Sequence, residues 1–138
     1  MIALIDTSVV LRKLFGEQGS LAEWSQVTEA YASRMLLVEL GRVIDRSRLA
    51  GDIDDEQVEH LHREARRLLR SVDVLALSEP ILVRAAGPMP TALGSLDAVH
   101  LATALQLAAA GKTTLVLATH DARLARAARA SGLEVCGA

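Results

Sequence analysis

Asp6, Glu39, Asp97 and Asp121 each stand beside or inside an apolar segment, where a folding chain normally keeps charge out. Asp6 follows Met1-Ile2-Ala3-Leu4-Ile5, and Asp121 follows Leu115-Val116-Leu117-Ala118-Thr119-His120, so both fall where a buried strand should end. Glu39 and Asp97 fall within helical patterns. Desolvating a carboxylate costs several kcal/mol or shifts its pKa strongly, so four that converge need a compensating cation. An oxygen-rich donor set without thiols selects Mg²⁺, with Mn²⁺ as a substitute, over zinc or copper. Such ions can activate water for attack on phosphorus and stabilise the departing oxygen, which suits phosphodiester hydrolysis.

Each acid also has a plainer reading. Aspartate is a preferred N-cap, and Asp6 and Asp121 both precede helical segments. Asp97 is near the start of its helix, where the macrodipole favours negative charge. Glu39 lies close to Arg42 and Arg46 on one helix, where a surface salt bridge would account for it. Capping alone does not require the acids to meet; a shared metal does.

The elements that must position them alternate. A first strand over residues 2–6 leads into a helix from Val9 to Phe15, with Thr7 and Ser8 offering a cap. A short helix is expected over Leu21–Tyr31 on the spacing of Trp24, Val27 and Ala30. A clear helix follows from Arg34 to Leu49, ended by Gly51. Asp54-Asp55-Glu56-Gln57 reads as a capping box opening a helix to Arg70, completing a helical hairpin. Val72–Leu77 reads as the second strand, and Ser78-Glu79-Pro80 opens another helix. Ser95–Ala110 is helical and apolar nearly all round, hence central. Thr113–Ala118 reads as a buried strand, Ala122–Ala130 as a helix, and Leu133–Val135 as a short edge strand. This pattern implies one α/β domain over residues 1–138: a central, mainly parallel sheet flanked by helices on both faces, with ligands at the carboxyl ends of the strands. Asp6 and Asp121 occupy that edge.

Composition sets the class. The chain of 138 residues is 51% hydrophobic and 23% charged, which excludes disorder and permits a full core. No apolar run is long enough for a membrane span, and the N-terminus lacks the pattern of a signal peptide, so a cytoplasmic protein without membrane association is expected. The single cysteine, Cys136, excludes an internal disulfide and a zinc-thiolate cluster. With a net charge of −2, nothing global draws the protein to polyanions, although 13 of its 15 basic residues are arginine, the side chain suited to bidentate phosphate binding. An aromatic fraction of 2% is too low for a base-stacking platform.

Taken together, Ile5-Asp6-Thr7-Ser8, Glu39, the run from Leu96-Asp97-Ala98-Val99-His100 through Ala104, and Thr119-His120-Asp121-Ala122-Arg123-Leu124 resemble the PIN-domain family. Within it, the chain is similar along its whole length to the small stand-alone ribonucleases that serve as VapC-type toxins. The resemblance implies that Asp6, Glu39, Asp97 and Asp121 form a catalytic Mg²⁺ site, with Thr7 and Thr119 as its hydroxyl-bearing neighbours. It also implies an endoribonuclease acting on RNA, with transfer RNA and ribosomal RNA both open as targets. A VapB-type antitoxin encoded beside it and a homodimer, using the apolar helices between Leu21 and Leu49, are implied as well.

Other residues keep two readings. Arg123, Arg126 and Arg129 follow Asp121 at every third position, and the first two are candidates for the RNA backbone. Arg63, Arg66, Arg67 and Arg70 form a stripe that serves phosphate, an antitoxin, or simply solvent with Glu59 and Glu64. His100, three residues after Asp97, either hydrogen-bonds toward the site or is a satisfied core histidine. His120 is expected to point away from the acids, and His60 and His62 are surface residues.

A phosphoacceptor receiver domain would need paired acids after the first strand and a lysine after the last, but Asp6 stands alone and Lys112 precedes its strand. A phosphatase with an aspartate nucleophile needs a second aspartate where Ser8 stands. The remaining alternative is a catalytically silent PIN-like module that only binds RNA or protein.

Overall fold

Alternation along Ile2–Ile5 (β1) divides the interior in two: Ala3 and Ile5 pack into one buried cluster, and Leu4 into another across the sheet. The computed structural model describes residues 1–138 and places β1 at the centre of a five-stranded sheet. Glu29–Ser33 (β2) and Asp73–Leu75 (β3) lie on one side of it, and Leu115–Ala118 (β4) and Glu134–Cys136 (β5) on the other, in the order β3-β2-β1-β4-β5. Every pairing is parallel.

Helices Thr7–Leu14 (α1), Met35–Leu49 (α2) and Asp55–Leu69 (α3) cover the Ala3 face with Val9, Val10, Leu36, Leu40 and Ala65. Glu79–Ala86 (α4) packs on Ser95–Ala109 (α5), and α5 with Ala122–Ala130 (α6) covers the Leu4 face through Leu101, Ala104, Leu124, Ala127 and Ala128. Because both faces are buried, β1 and β4 carry apolar residues throughout, as a covered parallel sheet requires. The chain builds β2 and β3 to one side of β1 and then crosses to β4 on the other. The strand order therefore switches between β1 and β4, where the carboxyl edge opens into a crevice.

Three expectations require correction. Leu21–Tyr31 is not an α-helix: Ala22–Gln26 forms a 3₁₀ turn, and residues 29–33 form β2. Trp24, Val27 and Ala30 do all pack on the α1–α3 side of the core, so their helix-like spacing serves burial in a bent segment. Pairing of β2 on both edges, Leu4 with Tyr31 and Tyr31 with Asp73, outweighs the helix preference of its Glu and Ala residues. Val72–Leu77 thus supplies the third strand, shortened to Asp73–Leu75. The cap of α1 is also different, since the helix begins at Thr7 and Asp6 itself caps it.

The other elements match within a residue or two. The Asp54–Gln57 capping box is complete, with both reciprocal hydrogen bonds at 2.8 Å. No helix is long and apolar enough to cross a membrane.

Candidate active site

Asp6 is the point where β1 and β4 are stapled together. Its backbone N–H donates to Ala118 O at 2.9 Å, extending the ladder by one bond, and its side chain is only 6% exposed. Ser8 Oγ donates to Asp6 Oδ2 at 2.5 Å and Thr119 Oγ1 donates to the same oxygen at 2.8 Å. Thr119 Oγ1 in turn accepts from the Asp121 backbone N–H at 2.9 Å, and Ser8 Oγ accepts from the His120 backbone N–H at 2.9 Å. Asp6 Oδ2 is therefore fully committed to the scaffold, while Oδ1 faces His100 Nε2 at 3.7 Å without a hydrogen bond.

Glu39 reaches in from α2. Its Oε2 accepts from Thr7 Oγ1 at 2.5 Å and lies 2.5 Å from His100 Nε2. The surface salt bridge to Arg42 or Arg46 does not form: Glu39 turns inward to Thr7 and His100, Arg42 binds Asp45 at 3.0 Å, and Arg46 makes no ion pair. Burial alone would push the Glu39 carboxyl up, but the hydrogen bonds from His100 and Thr7 outweigh it and hold the group below its usual range. Burial likewise pushes His100 down, and its buried Nδ1 has no partner. The hydrogen bond to Glu39 and the charges of Asp6, Glu39 and Asp97 prevail, holding the imidazole above its ordinary value. His100 is thus both a core residue, with no exposed surface, and a member of the acidic network.

Asp97 sits in the first turn of α5, and Gly94 rather than Asp97 is the cap residue. Its pKa is raised, first by burial and then by the charges of Asp121 and Asp6, with Arg123 and His100 only partly offsetting them. Asp121 caps α6 with Oδ1, which accepts from the Arg123 and Leu124 backbone N–H groups at 2.7 and 3.0 Å. The capping readings of Asp6 and Asp121 are therefore correct, and capping fixes each carboxylate with one oxygen left over.

All four acids line one cleft of about 480 Å³, together with Thr7, Ser8, Arg42 and Arg46. Thr7 and Thr119 take the expected neighbouring positions, one on Glu39 and one on Asp6. Ser8 and His100 complete the network. His120 points away as expected, its Nδ1 meeting Gly137 O at 2.8 Å. Arg123 is exposed but near enough to act on Asp97, whereas Arg126 lies on the outer face of α6, away from the cleft lining. Of the α3 arginines, Arg63 pairs with Glu59 at 3.1 Å, the ordinary solvated arrangement.

The donor chemistry fits a hard divalent cation. Asp6 Oδ1, Asp121 Oδ2 and both oxygens of Asp97 remain outside the hydrogen bonds of the scaffold, which leaves hard oxygen donors free at the cleft. As placed, no three of these groups stand close enough to share one ion.

Comparison with known proteins gives the family. The PIN domain family model matches residues 3–130. Ribonuclease VapC47 of Mycobacterium tuberculosis (strain CDC 1551 / Oshkosh) is 33% identical over 135 residues, spanning 93% of this chain and 90% of that protein. Ribonuclease VapC46 of M. tuberculosis (strain ATCC 25618 / H37Rv) is 38% identical over 77 residues, 56% of this chain and 57% of that one. Among solved structures, VapBC2 from Rickettsia felis bound to a promoter DNA fragment shares the fold with a TM-score of 0.67 at 13% identity, covering 98% of this chain and 97% of that one. VapBC-1 from nontypeable Haemophilus influenzae gives 0.60 at 21% identity, covering 98% and 96%. A parallel sheet in this order, acids from four elements at its switch point and a family match over nearly the full length lead to one conclusion: the chain belongs to the PIN-domain family, in its VapC-type branch.

Proposed function

We propose that this protein is a Mg²⁺-dependent endoribonuclease and the toxin of a VapBC-type pair, working in the cytoplasm. The observation that carries the reading is the convergence of Asp6, Glu39, Asp97 and Asp121, from β1, α2, α5 and the β4–α6 junction, on one cleft at the sheet's switch point. The names of its VapC ribonuclease relatives support the substrate class.

In this account Asp6, Asp97 and Asp121 would hold Mg²⁺, or Mn²⁺ in its place, directly or through water, which would supply Lewis acidity at phosphorus and a more acidic water. The chain supplies position and proton transfer. Ser8 and Thr119 fix Asp6 so that Oδ1 faces the cleft. Thr7 and His100 keep Glu39 ionised, so it can orient the attacking water, accept its proton as the water oxygen bonds to phosphorus, and contribute a further oxygen toward the metal. The bond from phosphorus to the departing oxygen breaks, that oxygen takes up a proton from solvent, and Glu39 releases its own proton to solvent to complete the cycle. Arg123, beside Asp97, meets the RNA backbone, and Arg126 extends that contact along the outer face of α6.

The partner is a VapB-type antitoxin, supported by the toxin–antitoxin complexes that share this fold. A homodimer would use apolar surface such as Leu37, Val38 and Leu49 on α2, each exposed.

The test is cleavage of structured RNAs, including transfer RNA and ribosomal RNA fragments, by wild-type and Asp6→Asn protein in Mg²⁺ or EDTA. Cleavage only by the wild type and only with Mg²⁺ supports the proposal. RNA binding without turnover under every condition would instead identify a silent binding module.

A further inference from the structure

We propose that Arg46 is the phosphate anchor on the α2 wall of the cleft, gripping an RNA phosphate next to the one being cleaved; this rests on the ribonuclease reading above. The cleft is lined by Glu39, Arg42, Val43 and Arg46 of α2, positions i, i+3, i+4 and i+7 on one helix face. Two of the neighbouring guanidinium groups are already committed. Arg42 Nη1 binds Asp45 Oδ2 and Arg48 Nη2 binds Asp45 Oδ1, both at 3.0 Å. Asp45 therefore engages the arginines on either side of Arg46 in the sequence, and its own pKa is lowered by hydrogen bonds from Arg48 and Arg42.

Arg46 alone among the three has no carboxylate or carbonyl partner, is exposed, and still lines the acidic cleft. Arg46 makes no salt bridge to the acids it lines the cleft with, so its guanidinium is available to an anion that enters there. Seven residues beyond Glu39, it stands about 10.5 Å along the helix axis from the residue assigned to the attacking water. That offset places its base about two turns from the attacking water and suits a phosphate next to the reacting one on the same strand. The planar guanidinium offers the paired donors that phosphate oxygens accept. Arg46 is thus a substrate-positioning residue: it sets how the strand lies across the acids and takes no part in bond breaking.

The test uses the full-length protein and a mixed-sequence, fluorescently labelled RNA oligonucleotide. Binding is measured by anisotropy over a range of salt concentrations in the non-cleaving Asp6→Asn background, and cleavage by the corresponding single variants with Asp6 intact. Arg46→Ala is expected to weaken binding about five- to tenfold, to reduce the salt slope by about 0.7, the contribution of one phosphate contact on a single strand, and to raise KM more than it lowers kcat. Arg46→Lys should restore the slope while recovering only part of the affinity, and Arg48→Ala should change neither. If Arg46→Ala retains the parent slope and affinity while the wild type cleaves RNA, the anchor assignment is overturned and the ribonuclease reading stands. Absence of cleavage by the wild type would strike the ribonuclease reading itself.

Discussion

His100 Nε2 lies 2.5 Å from Glu39 Oε2, joining the N-terminal half of α5 to the N-terminal half of α2 behind the cleft acids. The contact holds the one cleft acid that comes from α2. With Thr7, it makes Glu39 a positioned carboxylate whose ionised form is secured by its neighbours.

His100→Gln and Glu39→Gln should each lower metal-dependent RNA cleavage, the former by roughly 10- to 100-fold, as for partners that orient a functional group. Their effects should not add: His100→Gln in a Glu39→Gln background should cost far less than in the wild type. Kinetics of the double-mutant cycle check this, and full additivity would separate the two residues.

The same pair shapes stability against pH. Glu39 is lowered from 4.5, so its contribution is present above that pH and is lost as pH falls through its folded value. His100 is raised from 6.5, so its contribution is complete below that pH and is lost as pH rises through its folded value. The pair therefore adds most stability between about pH 4.5 and 6.5. Thermal melts in EDTA should show the difference in Tm between wild type and His100→Gln at its greatest there, and smaller at either side. A difference independent of pH would contradict the pairing.

Asp97 works in the opposite direction. Burial and the charges of Asp121 and Asp6 raise its pKa, so its ionised form costs stability at neutral pH, and the cost is relieved as pH falls. Asp97→Asn should raise Tm in EDTA by about 1–3 °C and at the same time abolish stabilisation by added Mg²⁺. A variant less stable than the wild type in EDTA would show that Asp97 supports the fold instead.

Thr119 has no exposed surface and bridges Asp6 Oδ2 to the Asp121 backbone N–H. Thr119→Val removes both bonds while conserving shape and should cost about 1–3 kcal/mol, read as a lower midpoint in urea. RNA cleavage should fall as well, since Asp6 and Asp121 lose a shared support. Unchanged stability would remove Thr119 from the network.

How much of this was legible in the sequence depends on the range of the interaction. Asp6 and Asp121 could be placed because a buried strand ending in an acid before a helix is a local pattern, and the same residues do cap those helices. β2 could not. Residues 29–33 hold no strong strand formers apart from Tyr31, and what makes them a strand is pairing to β1 and β3, elements distant in sequence. The role of His100 was open for a related reason: α5 is apolar nearly all round, so its periodicity does not distinguish the position facing Glu39 from those facing the core. The dependence of Arg42 on Asp45 is visible as an i,i+3 spacing, yet the freedom of Arg46 emerges only once the cleft wall is seen.

Mn²⁺ binding, followed by electron paramagnetic resonance on the full-length protein without RNA, tests most directly whether these acids share a cation. The account predicts saturable binding by the wild type, competed by Mg²⁺ and weakened well over tenfold by each of Asp6→Asn, Asp97→Asn and Asp121→Asn, with Arg48→Ala unaffected. Equal affinity in the wild type and all three aspartate variants, or no saturable binding in the wild type, would contradict it.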